Sequence, residues 1–198
     1  MFALRTLLFT VLFTLLCLLQ SPVHALAAVK EFKIGEDRFT IDVPKDWQSP
    51  LDFYGFPLSL IGPDTPEGRR TVIGITPAGA SDDEKVFDQG DKDIKSYIAG
   101  REAWLEQFEG KSISYDSYQK TKWEGIEEAH TLGYHYSLPT GKFYERSLFV
   151  LCNGRRLYHI KSLVPSDQEK TDNRIVDETL KSLKCQKAVA QKSREKKQ

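Results

Sequence analysis

Between Ser112 and Val164 the chain offers four strand-length segments in a row, with only turns between them. They span 114–122, 126–137, 143–152 and 156–164. The connections carry turn chemistry: Glu124-Gly125, Pro139-Thr140-Gly141 and Asn153-Gly154. Asn-Gly suits a type I′ hairpin, whose two central residues both need positive φ. Strands joined by turns this short pair antiparallel. The segment therefore predicts an antiparallel meander, and the remaining elements must cover it.

Those elements follow from periodicity. Phe39, Ile41 and Val43 alternate with Thr40 and Asp42, the period of a half-buried strand that Pro44 ends, with Trp47 in the turn beyond. Leu58–Ile61 and Thr71–Thr76 are further short strands, parted by the Pro-, Gly- and charge-rich loop Pro63–Arg70. Ala78–Gly90 reads as a polar surface excursion. Asp91–Glu109 has helical spacing, with Ile94, Tyr97, Ile98, Trp104, Leu105 and Phe108 on one face and Gly110 where a C-cap belongs. Gly100 weakens its centre by up to about 1 kcal/mol relative to alanine. Ser166 and Glu169 form a capping-box pattern ahead of a last helix whose stripe is Ile175, Val176, Thr179, Leu180 and Leu183. The expected fold class is α+β: a central antiparallel β-sheet flanked by helices.

The N-terminus addresses the chain for export. Arg5 is the only charge before Lys30, Leu7–Leu19 is a thirteen-residue apolar run, and Ala25-Leu26-Ala27 fits the small-x-small cleavage signal. Thirteen residues are short for a membrane span, which needs about twenty. Cys17 follows Leu15-Leu16, a poor match to a lipidation site. The expected organisation is a cleavable signal peptide at 1–27, one globular domain at 28–185 and a basic tail at 186–198. The location is periplasmic or secreted, or a thylakoid lumen in a photosynthetic organism.

The formal net charge of zero hides an asymmetry. Residues 28–183 carry 21 basic and 27 acidic side chains, and residues 184–198 carry six basic and one acidic. The tail is either a solvated terminus or a weak contact for an anionic surface. An exported protein has little occasion to meet nucleic acid.

Cys152 and Cys185 are the cysteines of the mature chain, and in an oxidising compartment they can pair with each other. The strand after Asn153-Gly154 runs about 26 Å away from that turn. The last helix returns about 20 Å. Cys152 precedes the turn and Cys185 follows the helix. This favours a structural disulfide between them over two free thiols.

Common catalytic signatures are missing: no Gly-x-Ser-x-Gly, His-Glu-x-x-His, P-loop or Gly-x-Gly-x-x-Gly occurs. No spacing singles out a catalytic triad. His130 and His135 lie five apart in one strand, hence on opposite faces, and cannot chelate one metal together. His135 and His159 could meet across the sheet near Glu128 or Glu145. The meander is crowded with aromatics. Trp123, Tyr134, Tyr136 and Tyr158 are the candidate binding surface, and the competing reading makes such residues cross-strand pairs and core.

FTIDVPKDWQ at Phe39–Gln48, the mid-chain helix, the tyrosine-rich meander with its basic hairpin Gly154–Tyr158, and the last helix ending in Ser182-Leu183 together resemble the PsbP/Mog1/DcrB-like superfamily. The resemblance implies an α/β/α sandwich with helices on both faces of the sheet. It implies binding, assembly or accessory roles and no shared catalytic residues. Some PsbP proteins are credited with metal binding, but no such site maps onto this chain. The expected function is a non-enzymatic accessory or binding module of the cell envelope, needing no cofactor and recognising another envelope protein. The alternatives are a small-molecule or metal-binding protein and a hydrolase with a nonlocal site. A pocket of several hundred Å3 would favour the small-molecule reading.

Overall fold

The computed structural model describes residues 28–53, 55–78, 91–123, 126–152 and 156–187. The leader, most of the tail, most of the 78–90 excursion and the Glu124-Gly125 and Asn153-Gly154 turns lie outside the described residues. In chain order the elements are β1 (Ala28–Ile34), β2 (Asp37–Val43), β3 (Leu51–Phe53), β4 (Phe56–Ile61), β5 (Val72–Pro77), α1 (Asp91–Gln107), β6 (Lys111–Tyr115), β7 (Gln119–Trp123), β8 (Ile126–Leu138), β9 (Gly141–Cys152), β10 (Arg156–Pro165), α2 (Glu169–Lys181) and β11 (Lys184–Lys187).

The meander is present as β7-β8-β9-β10, extended through β5 and β4 to β3. One segment departs from the expected strand over 114–122. It splits into β6 and β7, which pair with opposite ends of β8. Asp116 causes the break. Its N–H donates to the Gly133 carbonyl at 2.8 Å, and its carboxylate accepts the Tyr144 hydroxyl at 2.7 Å. The carboxylate lies flat on Gly133, where an added Cβ would come within 2.3 Å of Asp116 Oδ2.

A small sheet, β1-β2-β11, packs on the large one. Sequence patterning shows only its central strand. β1 and β2 join through Gly35, whose φ of +61° suits so tight a hairpin. β11 pairs with β2, setting Cys185 opposite Phe39. β11 itself continues two residues past Cys185, to Lys187.

The register assigns the two faces of the large sheet. One carries Tyr134, Tyr136, Phe143, Glu145, Ser147, His159 and Lys161, and α1 packs on it. The other carries Leu148, Val150, Tyr158, Ile160 and Val164, and α2 and the small sheet bury it as the main core. The helices therefore lie on opposite faces, and the second layer is shared between a helix and a sheet.

Both helix ends differ from expectation. Glu109 takes the left-handed conformation after α1, with φ +55°. Gly110 is needed for room, since a Cβ there would come 2.8 Å from Leu138 and 2.9 Å from Leu105. Phe108 is exposed and leans on Trp104, because the helix has ended before it can turn inward. The expected capping box at α2 does not form. Gln168 occupies the N-cap without a side-chain bond, the Ser166 N–H goes to the Lys142 carbonyl, and the Glu169 carboxylate meets His135. Glu169 and Asp172 still place negative charge on the first turn, where the helix dipole favours it.

Candidate functional site

The main path of the large sheet is seven strands wide, roughly 29 Å at 4.8 Å per strand. One helix, with side chains, is about 10–12 Å across. α1 covers β8 and β9, through Tyr97 to Ser147 and Phe149, Arg101 to Glu145, and Trp104 to Tyr136. Among the described residues no element covers the same face over β5 and β10, and a cleft of about 570 Å3 opens there.

Val72 and Gly74 of β5, Lys161 and Leu163 of β10 and Phe143 of β9 form the floor. The β3–β4 hairpin supplies Phe53 and Phe56 as one wall. A Cβ on Gly74 would come 2.4 Å from the Phe56 ring, so the ring rests directly on the β5 backbone. The other wall is the loop from Gly62 to Arg70. Thr65 and Arg69 close it backbone to backbone at 2.7 Å, and Gly68 takes φ +73°. At the rim Arg70 clamps Asp64 with Nε and Nη2, holding that carboxyl below its usual range. Arg69 donates to Asp167 at 2.9 Å.

Between cleft and helix lies a buried polar cluster. Glu145 is 4% exposed and faces two cations. Arg101 donates to its Oε2 at 3.0 Å, and Lys161 Nζ stands 3.4 Å from Oε1. The Arg101 guanidinium also sits over Trp104, 4.3 Å from the ring centre, and over Tyr134 at 5.1 Å. The Ser147 hydroxyl is shared by Tyr97 and by His159 Nε2 at 3.0 Å. His159 stacks on Phe149, centroids 4.4 Å apart. Burial first, then Lys161 and Arg101, hold its pKa down to about 4.

That depression has a sign. An unfolded histidine titrates near about 6.5, so between 6.5 and 4 the unfolded chain binds more protons. Stability therefore falls as pH drops through this window. From pH 7 to 4.5 the wild type is expected to lose roughly 2–3 kcal/mol more than His159→Gln, in urea unfolding at each pH. Equal losses would show that His159 protonates in place.

The candidate binding aromatics fall elsewhere. Tyr134, Tyr136 and Tyr158 are 0%, 2% and 2% exposed and form no surface. Tyr134 stacks between Tyr115 and Tyr136 beneath α1. Tyr158 lies on the opposite face, edge-on to Phe39, and donates its hydroxyl to Asp37 at 2.7 Å. Burial raises the pKa of all three. They are core, because α1 and the small sheet close over them. The Trp123 side chain lies outside the described residues.

The histidines are likewise separated. His135 and His159 project from opposite faces of the sheet and do not meet. Among the described residues no three His, Cys, Asp or Glu side chains converge as metal ligands. Ser147 is sealed at 0% exposure. Ser114, His135 and Glu169 form a row with spacings of 3.3 and 3.0 Å, but none of them lines the cleft or the 360 Å3 groove beside α2. Cys152 and Cys185 are joined by a disulfide, Cα atoms 5.7 Å apart, which ties β9 to β11 and so one sheet to the other.

No protein-family model matches the chain, and no curated protein matches it significantly. Solved structures do. LpqN of Mycobacterium tuberculosis, a protein involved in cell envelope biogenesis, superposes with a TM-score of 0.52 at 13% identity, over 80% of this chain and 90% of that one. Cyanobacterial PsbP (CyanoP) of Synechocystis sp. PCC 6803 gives 0.53 at 12% identity, over 82% and 95%. At such identities the likeness is one of architecture: the chain shares the α+β fold of these PsbP-like structures.

Proposed function

We propose that this chain is an exported, non-enzymatic binding module of the cell envelope, acting as an accessory to another envelope component, and that it binds through the cleft over β5 and β10. The observation that carries this reading is the cleft itself. It is open and apolar-floored, and its volume lies within the range of about 300–1,000 Å3 usual for ligand sites. Ser147, beneath α1 beside it, is fully buried, and its hydroxyl is shared by Tyr97 and His159. The compartment is supported by the leader sequence and by a buried disulfide of a kind that persists outside the cytoplasm. LpqN, with the same architecture, is a protein of envelope biogenesis.

The test is a photoreactive amino acid at Val72, on the cleft floor, with the same group at Lys95, exposed on α1, as control. The expected product is a processed protein in the envelope fraction that forms adducts from position 72 and not from position 95. Identical adducts from both positions, or none from either, would remove the cleft from the function. An unprocessed cytoplasmic product would remove export.

A further inference from the structure

Glu145 is one carboxylate serving two cations, so the cluster of Glu145, Arg101 and Lys161 keeps one positive charge in surplus. His159, next to it, does not add to that charge at neutral pH. The surplus is not shared evenly. Arg101 is fixed by its 3.0 Å bond and by two aromatic rings. Lys161 stands at 3.4 Å, beyond the usual span of about 2.7–2.9 Å for a charge-assisted hydrogen bond. Its ammonium carries three donors, its side chain is 27% exposed, and it stands on the cleft floor. The two rim arginines are each held by a carboxylate within 3 Å.

Around Lys161 the cleft is apolar, with Phe53, Phe56, Phe143 and Leu163. A single surplus charge in an apolar cleft matches a ligand of the same description. Resting on the proposal that the cleft is the binding site, we infer that its ligand is an amphipathic monocarboxylate, whose apolar body lies on the phenylalanine wall and whose carboxylate takes the Lys161 ammonium. A dianionic headgroup such as a phosphate monoester would bring a second charge for which the floor holds no counterpart.

Three probes with unbranched eight-carbon chains separate the terms in calorimetric titration of the purified protein: octanoate, octan-1-ol and octyltrimethylammonium. Octanoate is expected to bind one per chain, at least about tenfold tighter than the alcohol, as for a hydrogen bond to a charged group. The cation is expected to bind worse than the alcohol. Lys161→Met should bring octanoate down to the alcohol's affinity and leave the alcohol unchanged, whereas Lys161→Arg should keep the preference. In the wild type, salt at about 1 M should weaken octanoate and spare the alcohol, a result that needs no variant. If octanoate and octanol bind alike in the wild type, or if Lys161→Met keeps the preference, the headgroup assignment is wrong and the cleft still stands. If no probe binds, the monocarboxylate assignment is wrong, and the cleft reading falls with it only where the photoreactive group at position 72 also gives no adducts of its own.

Discussion

Replacing Glu145 with glutamine is expected to lower folding stability by about 3–5 kcal/mol, the usual effect of removing one partner from a buried ion pair. The substitution keeps the shape of the side chain and removes its charge, leaving Arg101 and Lys161 facing each other beneath α1. The lower end of the range applies, because Lys161 is partly exposed and can turn toward the cleft. Urea unfolding at pH 7 measures the loss. The diagnostic step is the double variant Glu145→Leu with Arg101→Met. It removes the unpaired charge on the helix along with its partner, and should recover a substantial part of the stability, as replacement of buried pairs by apolar residues often does. A double variant as unstable as the sum of the two single ones would show that the pair acts through independent contacts.

Breaking the disulfide is the second large effect. Cys152 and Cys185 close a loop of 33 residues, for which the chain-entropy model gives about 3–4 kcal/mol. Cys152→Ala with Cys185→Ala should lower the urea midpoint accordingly. Both side chains are buried, so the native protein should resist thiol labelling until it is reduced and unfolded. The loss should also be local. β11 is four residues long and has β2 as its one neighbour in the sheet. Amide exchange at Lys184–Lys187 should therefore accelerate more than exchange in β9. Uniform acceleration along the chain would mean that the bond stabilises the unfolded-state balance alone and does not pin β11. Labelling of both thiols in the native protein would overturn the pairing itself.

The buried polar cluster beside the cleft left a trace in the sequence that periodicity alone could have shown. On the α1 face β9 presents Phe143, Glu145, Ser147, Phe149 and Leu151, and β10 presents Leu157, His159, Lys161 and Leu163. Both strands are apolar at their ends and polar in the middle, with Lys161 opposite Ser147 and Glu145 opposite Leu163, so that the two charges meet diagonally. A charge on a covered face needs a partner: Glu145 is held by Arg101 at 3.0 Å and faces Lys161 at 3.4 Å. Arg101 lies on α1 among the residues read as the apolar stripe, and nothing in the spacing distinguishes it from a solvent-facing arginine. The tyrosines show the opposite limit. Tyr134 and Tyr136 alternate onto one face of β8, but alternation cannot say whether a face is covered.

What the sequence determined by itself was everything held by neighbours along the chain. The meander, both helices and the strands at 39–43, 58–61 and 71–76 carry their own periodicity and turn residues, since each pairs or packs with a segment close in sequence. The pairing of Cys152 with Cys185 belongs here too, because a strand and a returning helix of similar length bring their ends together. Tertiary structure alone decided the rest. β1, with few buried positions, and β11, too short to show a period, are strands because β2 offers them two edges, and Asp42 meets Ser182 across 140 residues. The cleft has no sequence pattern at all. It is the width of a seven-strand path minus the width of one helix, a quantity that exists only once the sheet has been assembled.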